Sequence, residues 1–268
     1  MTPTCLSIAG SDPSGGAGIQ ADIKTISALG CYAAAAITAI TVQNTMGVQA
    51  VHPCPPDVVA AQVTAVLTDL ETHAVKVGMA GSSDNIRAIA DTLRRHPVPF
   101  VVTDPVLFAS SGHPLCDAGG VEAFLTHLFP VSTLVTPNLY ELFALTGIED
   151  IDRAATDLLR RGGCKAILVK GGHREGVPTD SLYTLDAGRR DFHAKRIDTR
   201  ADHGTGCTLS SAIAANVALG HPLHHAILMA KGFVTKALKA GATMYIGQGR
   251  GPMNHFFKPR ALRVEEIM

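Results

Sequence analysis

The order in which short apolar runs and helix-length runs follow one another constrains this chain more than any single residue does. Apolar runs of strand length fall at residues 4–9, 33–42, 74–77, 100–103, 133–135 and 166–169. Between them lie segments of helical pattern at 17–29, 57–70, 84–95, 121–129 and 154–161. Strand, helix, strand in repetition closes as right-handed crossovers, so the alternation implies a mostly parallel sheet with helices on both faces. Residues 181–185 and 191–197 then read as a β-ribbon, followed by two helices, the first an apolar run at 209–219 that stops at Gly220. The tail after Gly247 is rich in Gly and Pro and reads as irregular. Nothing between residues 1 and 240 has the composition of a linker. With 46% hydrophobic residues in 268 the chain can bury one large core, and residues 1–268 are read as a single domain.

Formal net charge is +0, with no basic block and no interleaved aromatics, which argues against a nucleic-acid surface. No apolar run reaches membrane-spanning length, and the Met1-Thr2-Pro3 start lacks the pattern of a signal peptide, so a soluble, cytoplasmic protein is expected. The six cysteines lie far apart with no C-x-x-C pair, neither a zinc framework nor a disulfide scaffold. His221, His224 and His225 cluster around Pro222 without matching carboxylates or cysteines, which disfavours a structural metal site there.

Open parallel sheets bind ligands at the carboxyl ends of their strands. The glycine cluster Gly10 to Gly18 stands at such an end. Its spacing imitates a Walker A loop, but Gly16 occupies the place of the phosphate-binding lysine. It also imitates a dinucleotide fingerprint, yet after Asp22 no Asp or Glu occurs until Asp57, so the ribose-binding carboxylate is missing. A second glycine turn, His203-Gly204-Thr205-Gly206-Cys207-Thr208-Leu209, leads from the ribbon into an apolar helix. Helix-start amides and the dipole favour an anion there, and glycines admit it close to the backbone. The plain alternative is a turn capped by Thr205 or Thr208. Cys207 is a candidate for chemistry, because a helix N-terminus favours thiolate.

Two further strand ends carry suitable groups. In Thr136-Pro137-Asn138-Leu139-Tyr140-Glu141, Asn138 and Glu141 form either a capping box alone or a site that organises hydrated Mg²⁺. In Val169-Lys170-Gly171-Gly172-His173, Lys170 ends a strand beside glycines that let phosphate approach. Phosphoryl transfer asks mainly for such positioning and charge neutralisation.

Six motifs in unbroken order complete the pattern: Ala9 to Asp22, Gln43-Asn44-Thr45, Lys76-Val77-Gly78-Met79, Thr136-Pro137-Asn138 with Glu141, Val169 to His173, and His203 to Thr208. Together they resemble the bacterial hydroxymethylpyrimidine/phosphomethylpyrimidine kinases of thiamine biosynthesis, within the ribokinase superfamily. The resemblance implies an α/β ribokinase-like three-layer αβα sandwich around a central, mostly parallel sheet. It implies that the turn Gly204, Thr205, Gly206 is the anion hole and that Cys207 faces the substrate hydroxyl, where sugar kinases of the superfamily carry a base aspartate. The pyrimidine pocket maps onto Gly10, Asp22, Gln43, Met79 and Val106. The Gln43 amide both donates and accepts, as an aminopyrimidine edge requires. Glu141 and Asn138 would serve Mg-ATP, with Mg²⁺ on Glu141 through water, and Lys170 would serve the phosphates. A homodimer is also implied.

The sequence departs from the family pattern at Ser110, His113 and Asp202, where lysine, aspartate and threonine are common. The expected activity is ATP- and Mg²⁺-dependent phosphorylation of 4-amino-5-hydroxymethyl-2-methylpyrimidine and then of its monophosphate. A pyridoxine or pyridoxal kinase of the same family and a catalytically silent ligand-binding sensor are the alternatives.

Overall fold

Each central strand sends alternate side chains into two different helical layers, and this alternation is what buries the sheet on both faces. The computed structural model describes residues 2–109, 112–172 and 176–264. Its strands are β1 (Thr4–Ser11), β2 (Tyr32–Asn44), β3 (Gly47–Pro53), β4 (Ala74–Val77), β5 (Val101–Thr103), β6 (Leu134–Val135), β7 (Ala166–Val169), β8 (Thr179–Thr184) and β9 (Gly188–His193). They form one sheet in the order β3-β2-β1-β4-β5-β6-β7-β8-β9. The six from β2 to β7 in that order are mutually parallel; β3 pairs antiparallel with β2 at one end, and at the other β8 pairs antiparallel with β7 and β9 with β8.

One face packs Leu6, Ile8, Val75, Val77, Val101, Val135 and Ile167 against α2 (Pro56–Asp69), α3 (Ser83–Arg95), α5 (Leu139–Thr146) and α6 (Ile151–Gly162). The other packs Cys5, Ala74, Val102, Leu134 and Leu168 against α1 (Gly18–Ala28), α7 (Thr205–Ala218) and α8 (Leu223–Gly241). The short α4 (Gly120–Ala123) completes the set. The expected three-layer αβα architecture is what forms.

Differences from the sequence reading have local causes. The single helix expected at 121–129 is α4 followed by a π turn, Phe124–Leu128, and a 3-10 turn, Phe129–Val131, because Pro130 cannot continue a regular ladder. Helix α6 starts before the expected 154 because Asp150 caps it, its carboxylate accepting from Arg153 N at 2.8 Å. β2 runs past the expected 42 and is only partly buried, since its far half pairs with the unanticipated edge strand β3.

Candidate active site

The parallel strands end on one side of the molecule and border a cleft of about 600 Å³. Its floor is built from turns that lock one another. After β1, the Asp12 carboxylate accepts from Ser14 N (2.9 Å) and Oγ (2.7 Å), Gly16 N (3.1 Å) and Ala17 N (2.8 Å). His203 Nε2 lies 2.8 Å from the same carboxylate, which ties this turn to the opening of α7. Burial opposes the charge, but the His203, Ser14 and Ala17 hydrogen bonds outweigh it and hold the Asp12 carboxyl down at about 2.

Gly204 is the N-cap of α7 at φ 80°, and a Cβ there would fall 1.9 Å from the Gly16 carbonyl oxygen. Only glycine lets the two turns meet backbone to backbone. Neither threonine caps the helix. Thr205 Oγ1 donates back to Asp202 O at 2.6 Å, and Thr208 Oγ1 lies 3.0 Å from His255 Nε2. Thr205 N already donates to Asp202 O at 3.4 Å, and with no side-chain cap on α7 the dipole and the Gly206 and Cys207 amides stay available to a ligand anion.

The ends of β5, β6 and β7 bring charge to this turn. Lys170 Nζ donates to Asp104 Oδ1 at 2.5 Å and stands 3.8 Å from Glu141 Oε2, while Thr136 Oγ1 donates to Asp104 Oδ1 at 3.0 Å. A methyl at Gly206 would stand 3.3 Å from Lys170 Nζ and 3.4 Å from Asp104 Oδ2, so the pair lies against the opening of α7. Burial works against the Lys170 charge, but Asp104 and Glu141 overcome it and hold its pKa above the ordinary lysine value. Glu141 and Asn138 form the capping box read from the sequence: Glu141 N donates to Asn138 Oδ1 (2.9 Å) and Asn138 N to Glu141 Oε2 (2.7 Å). Burial raises Glu141 to about 7, opposed by Lys170 and reinforced by Asp104.

Gly10, Gln43, Met79 and Val106 also line the cleft. Gln43 Nε2 lies 3.2 Å from His203 Nε2, and Thr41 Oγ1 is 3.3 Å from Gln43 Oε1. Cys207 also lines the cleft. Its expected thiolate character does not hold: burial raises the thiol to about 11, with Lys76 and the Gly18 amide opposing and Asp22 and Asp104 reinforcing.

Asp22 is the second correction. It is not on the cleft wall but fully buried behind it. Lys76 Nζ donates to its Oδ2 at 2.7 Å, Ser7 Oγ to Oδ2 at 2.6 Å and Ser211 Oγ to Oδ1 at 2.7 Å. His113 sits in a loop whose Phe108, Ala109 and Leu115 line the cleft, but is not itself on the wall. Ser110 and His173 lie outside the described residues.

Sequence reasoning assigned no role to Asp12, Asp104, Asp180 or Lys231. Asp180 Oδ1 accepts from Gly171 N at 2.9 Å and its Oδ2 from Lys231 Nζ at 2.5 Å, so it holds the turn after Lys170. Asp12 and Asp104 were findable, each standing just past a strand end. Asp180 and Lys231 carried no such mark.

Helix-start amides, a lysine between carboxylates and an amide-edged pocket, all at the strand ends of one αβα sandwich, define a small-molecule phosphotransferase class. The family model described as phosphomethylpyrimidine kinase matches residues 12–254. The chain is 48% identical over 263 residues to the hydroxymethylpyrimidine/phosphomethylpyrimidine kinase of Rhizobium meliloti (strain 1021), covering 96% of this chain and 98% of the relative. A crystal structure of phosphomethylpyrimidine kinase from Clostridium difficile 630 superposes with a TM-score of 0.77 at 38% identity, covering 87% of this chain and 98% of that one. The pyridoxal kinase from Staphylococcus aureus in complex with ADP superposes with a TM-score of 0.85 at 33% identity, covering 96% and 94%. This chain belongs to the phosphomethylpyrimidine kinase family.

Proposed function

We propose that this enzyme transfers the γ-phosphoryl group of ATP to the hydroxymethyl group of 4-amino-5-hydroxymethyl-2-methylpyrimidine, and then a second to the resulting monophosphate, in thiamine biosynthesis. The observation that carries the reading is the contact of the Gly204–Cys207 turn with the Lys170–Asp104 pair in a cleft that Gln43 also lines. In the first step the substrate oxygen bonds to the γ-phosphorus, the bond to the bridging oxygen breaks, ADP leaves and the hydroxyl proton is released. The Gly204 to Cys207 amides receive the equatorial oxygens, and Lys170 offsets their charge. With its thiol raised to about 11, Cys207 is protonated at neutral pH and orients the hydroxyl rather than standing as a ready base.

Two buried carboxylates, Glu141 and Asp104, share one lysine here, a deficit of positive charge that a divalent cation relieves. Mg²⁺ commonly takes one or two carboxylates and fills the rest of its shell with water and phosphate. Glu141 with Asp104 would hold it, and Mg²⁺ supplies neutralisation of the nucleotide phosphates.

The reading treats residues 1–268 as one kinase unit, cytoplasmic because its co-substrate is ATP, and paired as a homodimer. The exposed Tyr32, Ile40, Val42 and Met46 on the β2–β3 edge support the pairing, which light scattering on the purified protein tests. ADP formation from Mg-ATP with the hydroxymethylpyrimidine, its monophosphate and pyridoxal, offered separately, tests the activity. Turnover of the first two with pyridoxal slow is expected; turnover of pyridoxal alone, the reading favoured by the Staphylococcus aureus likeness, would overturn the substrate.

A further inference from the structure

The tail loop after α8 straps the turn after β2 to the turn that opens α7. Arg250 N donates to Thr45 O at 3.0 Å and Gly249 N to Thr45 Oγ1 at 3.1 Å, on the Gln43 side. His203 N donates to Gly251 O at 3.1 Å, on the side of the α7 turn. Arg250 sits on this strap and lines the cleft. Its guanidinium grips Asp202 with two nitrogens, Nε to Oδ1 at 2.8 Å and a second to Oδ2. Asp202 O in turn receives Thr205 Oγ1, so the gripped carboxylate belongs to the edge of the α7 turn itself.

Among the described residues lining the cleft, the other lysines and arginines are placed elsewhere. Lys170 is held by Asp104 and Lys231 by Asp180, while Lys195 and Arg196 follow β9, with Arg196 donating to the Gly172 and Gly176 carbonyls beyond Lys170. Arg250 is the guanidinium held at the edge of the α7 turn, on a backbone that bonds Thr45 two residues past Gln43. Its side chain is 55% exposed and that of Asp202 29%, so their pair is a solvated one that exchanges partners at little cost. A phosphate presents the same two-oxygen edge as a carboxylate with more charge, and a guanidinium fork fits either.

We propose that Arg250 is a specificity-determining residue for the phosphorylated acceptor: its fork takes the phosphate of the monophosphate substrate in exchange for Asp202, which otherwise occupies it. This inference rests on the two-step reading above and assigns to one residue the discrimination between the two acceptors. The uncharged alcohol has nothing to exchange for Asp202, whereas the monophosphate does.

The test measures KM for the alcohol and for the monophosphate in Arg250→Gln and in Asp202→Asn, with thermal melting of each. Arg250→Gln is expected to raise KM for the monophosphate about tenfold more than for the alcohol, the loss of one charge-assisted grip. Asp202→Asn is expected to lower KM for the monophosphate about threefold, because it removes the competitor. Opposite signs from the two halves of one ion pair are the signature. If the pair only fastens the strap, both substitutions move both acceptors in the same direction and lower the melting temperature together, and the proposal is overturned. Calorimetric binding of the monophosphate keeps the test separate from turnover: an equal Kd in wild type and Arg250→Gln overturns the role of Arg250 even in an enzyme that phosphorylates both acceptors, and a wild type that turns over neither refutes the activity instead.

Discussion

Lys76→Met should unfasten the floor of the cleft from behind. Lys76 and Asp22 are both fully buried, their charges 2.7 Å apart, and the substitution leaves the Asp22 carboxylate without its cation. Removing one partner of a buried pair costs about 3–5 kcal/mol, because the remaining charge is desolvated and uncompensated. The Ser7 and Ser211 hydroxyls stay on that carboxylate, so the lower end, about 3 kcal/mol, is expected. For a chain of 268 residues the unfolding entropy is roughly 0.6 kcal/mol per degree, which places the melting point about 5 °C lower. Thermal and urea unfolding measure the loss, and a double-mutant cycle with Asp22→Asn identifies its cause. The double variant should be more stable than Lys76→Met alone, since it removes the orphaned charge. A loss below about 1 kcal/mol, or strict additivity in the cycle, would refute the assignment of Asp22 to the support of the site rather than to its wall.

Three further outcomes follow from the same geometry. Gly204→Ala drives a methyl to 1.9 Å from Gly16 O at a backbone angle that disfavours it, so kcat for ADP formation should fall about a hundredfold or more as the anion-binding amides shift; a fall under threefold contradicts the turn-to-turn contact. Cys207→Ala should slow phosphorylation of the hydroxymethylpyrimidine by about ten- to ten-thousand-fold, and in the wild type alkylation of Cys207 by iodoacetamide should stay slow at pH 7 and accelerate toward pH 11, since burial keeps the thiol protonated. Asp12, held at about 2 when folded against about 3.9 unfolded, contributes about 2 kcal/mol that is fully present above pH 4 and lost as pH falls toward 2. Asp12→Asn should therefore lower stability at pH 7 and flatten the acid limb of a stability-against-pH curve; an unchanged limb rules the contribution out.

What was legible in the sequence is what local pattern controls. Ala74–Val77 and Ala166–Val169 stand where the apolar runs put them, and the Asn138–Glu141 box forms as its spacing dictates. The glycine turn that opens α7 was legible because its glycines adjoin an apolar helix, although α7 begins at Thr205, before the apolar run, since tertiary contact overrides the weak helix propensity of Thr-Gly-Cys. Asp22 misled because its motif lies beside the pocket while its side chain turns inward to Lys76, 54 residues away. Asp180 with Lys231 and Asp12 with His203 are separated by 51 and 191 residues, and no periodicity marks partners that only the closed sheet brings together.

Those long-range pairs share a logic that bears on how the cleft handles phosphate. Lys170 rests on Asp104, Lys231 on Asp180, Arg250 on Asp202 and His203 on Asp12, so each of these basic groups on the cleft wall already has a carboxylate partner. Bare buried cations would be costly to desolvate and would leave their long side chains unfixed, whereas pairing holds each head group near the cleft before any ligand arrives. If Arg250 acts as proposed, an incoming phosphate exchanges for a carboxylate instead of neutralising an isolated charge. The exchange is easiest where the pair is most solvated, at Asp202–Arg250, and hardest at Lys170, which is wedged between Asp104 and Glu141 and raised by both. A divalent cation held by those two carboxylates would supply the positive charge they now draw from Lys170 alone, so nucleotide and metal are expected to bind with positive coupling, which nucleotide titrations with and without Mg²⁺ would measure.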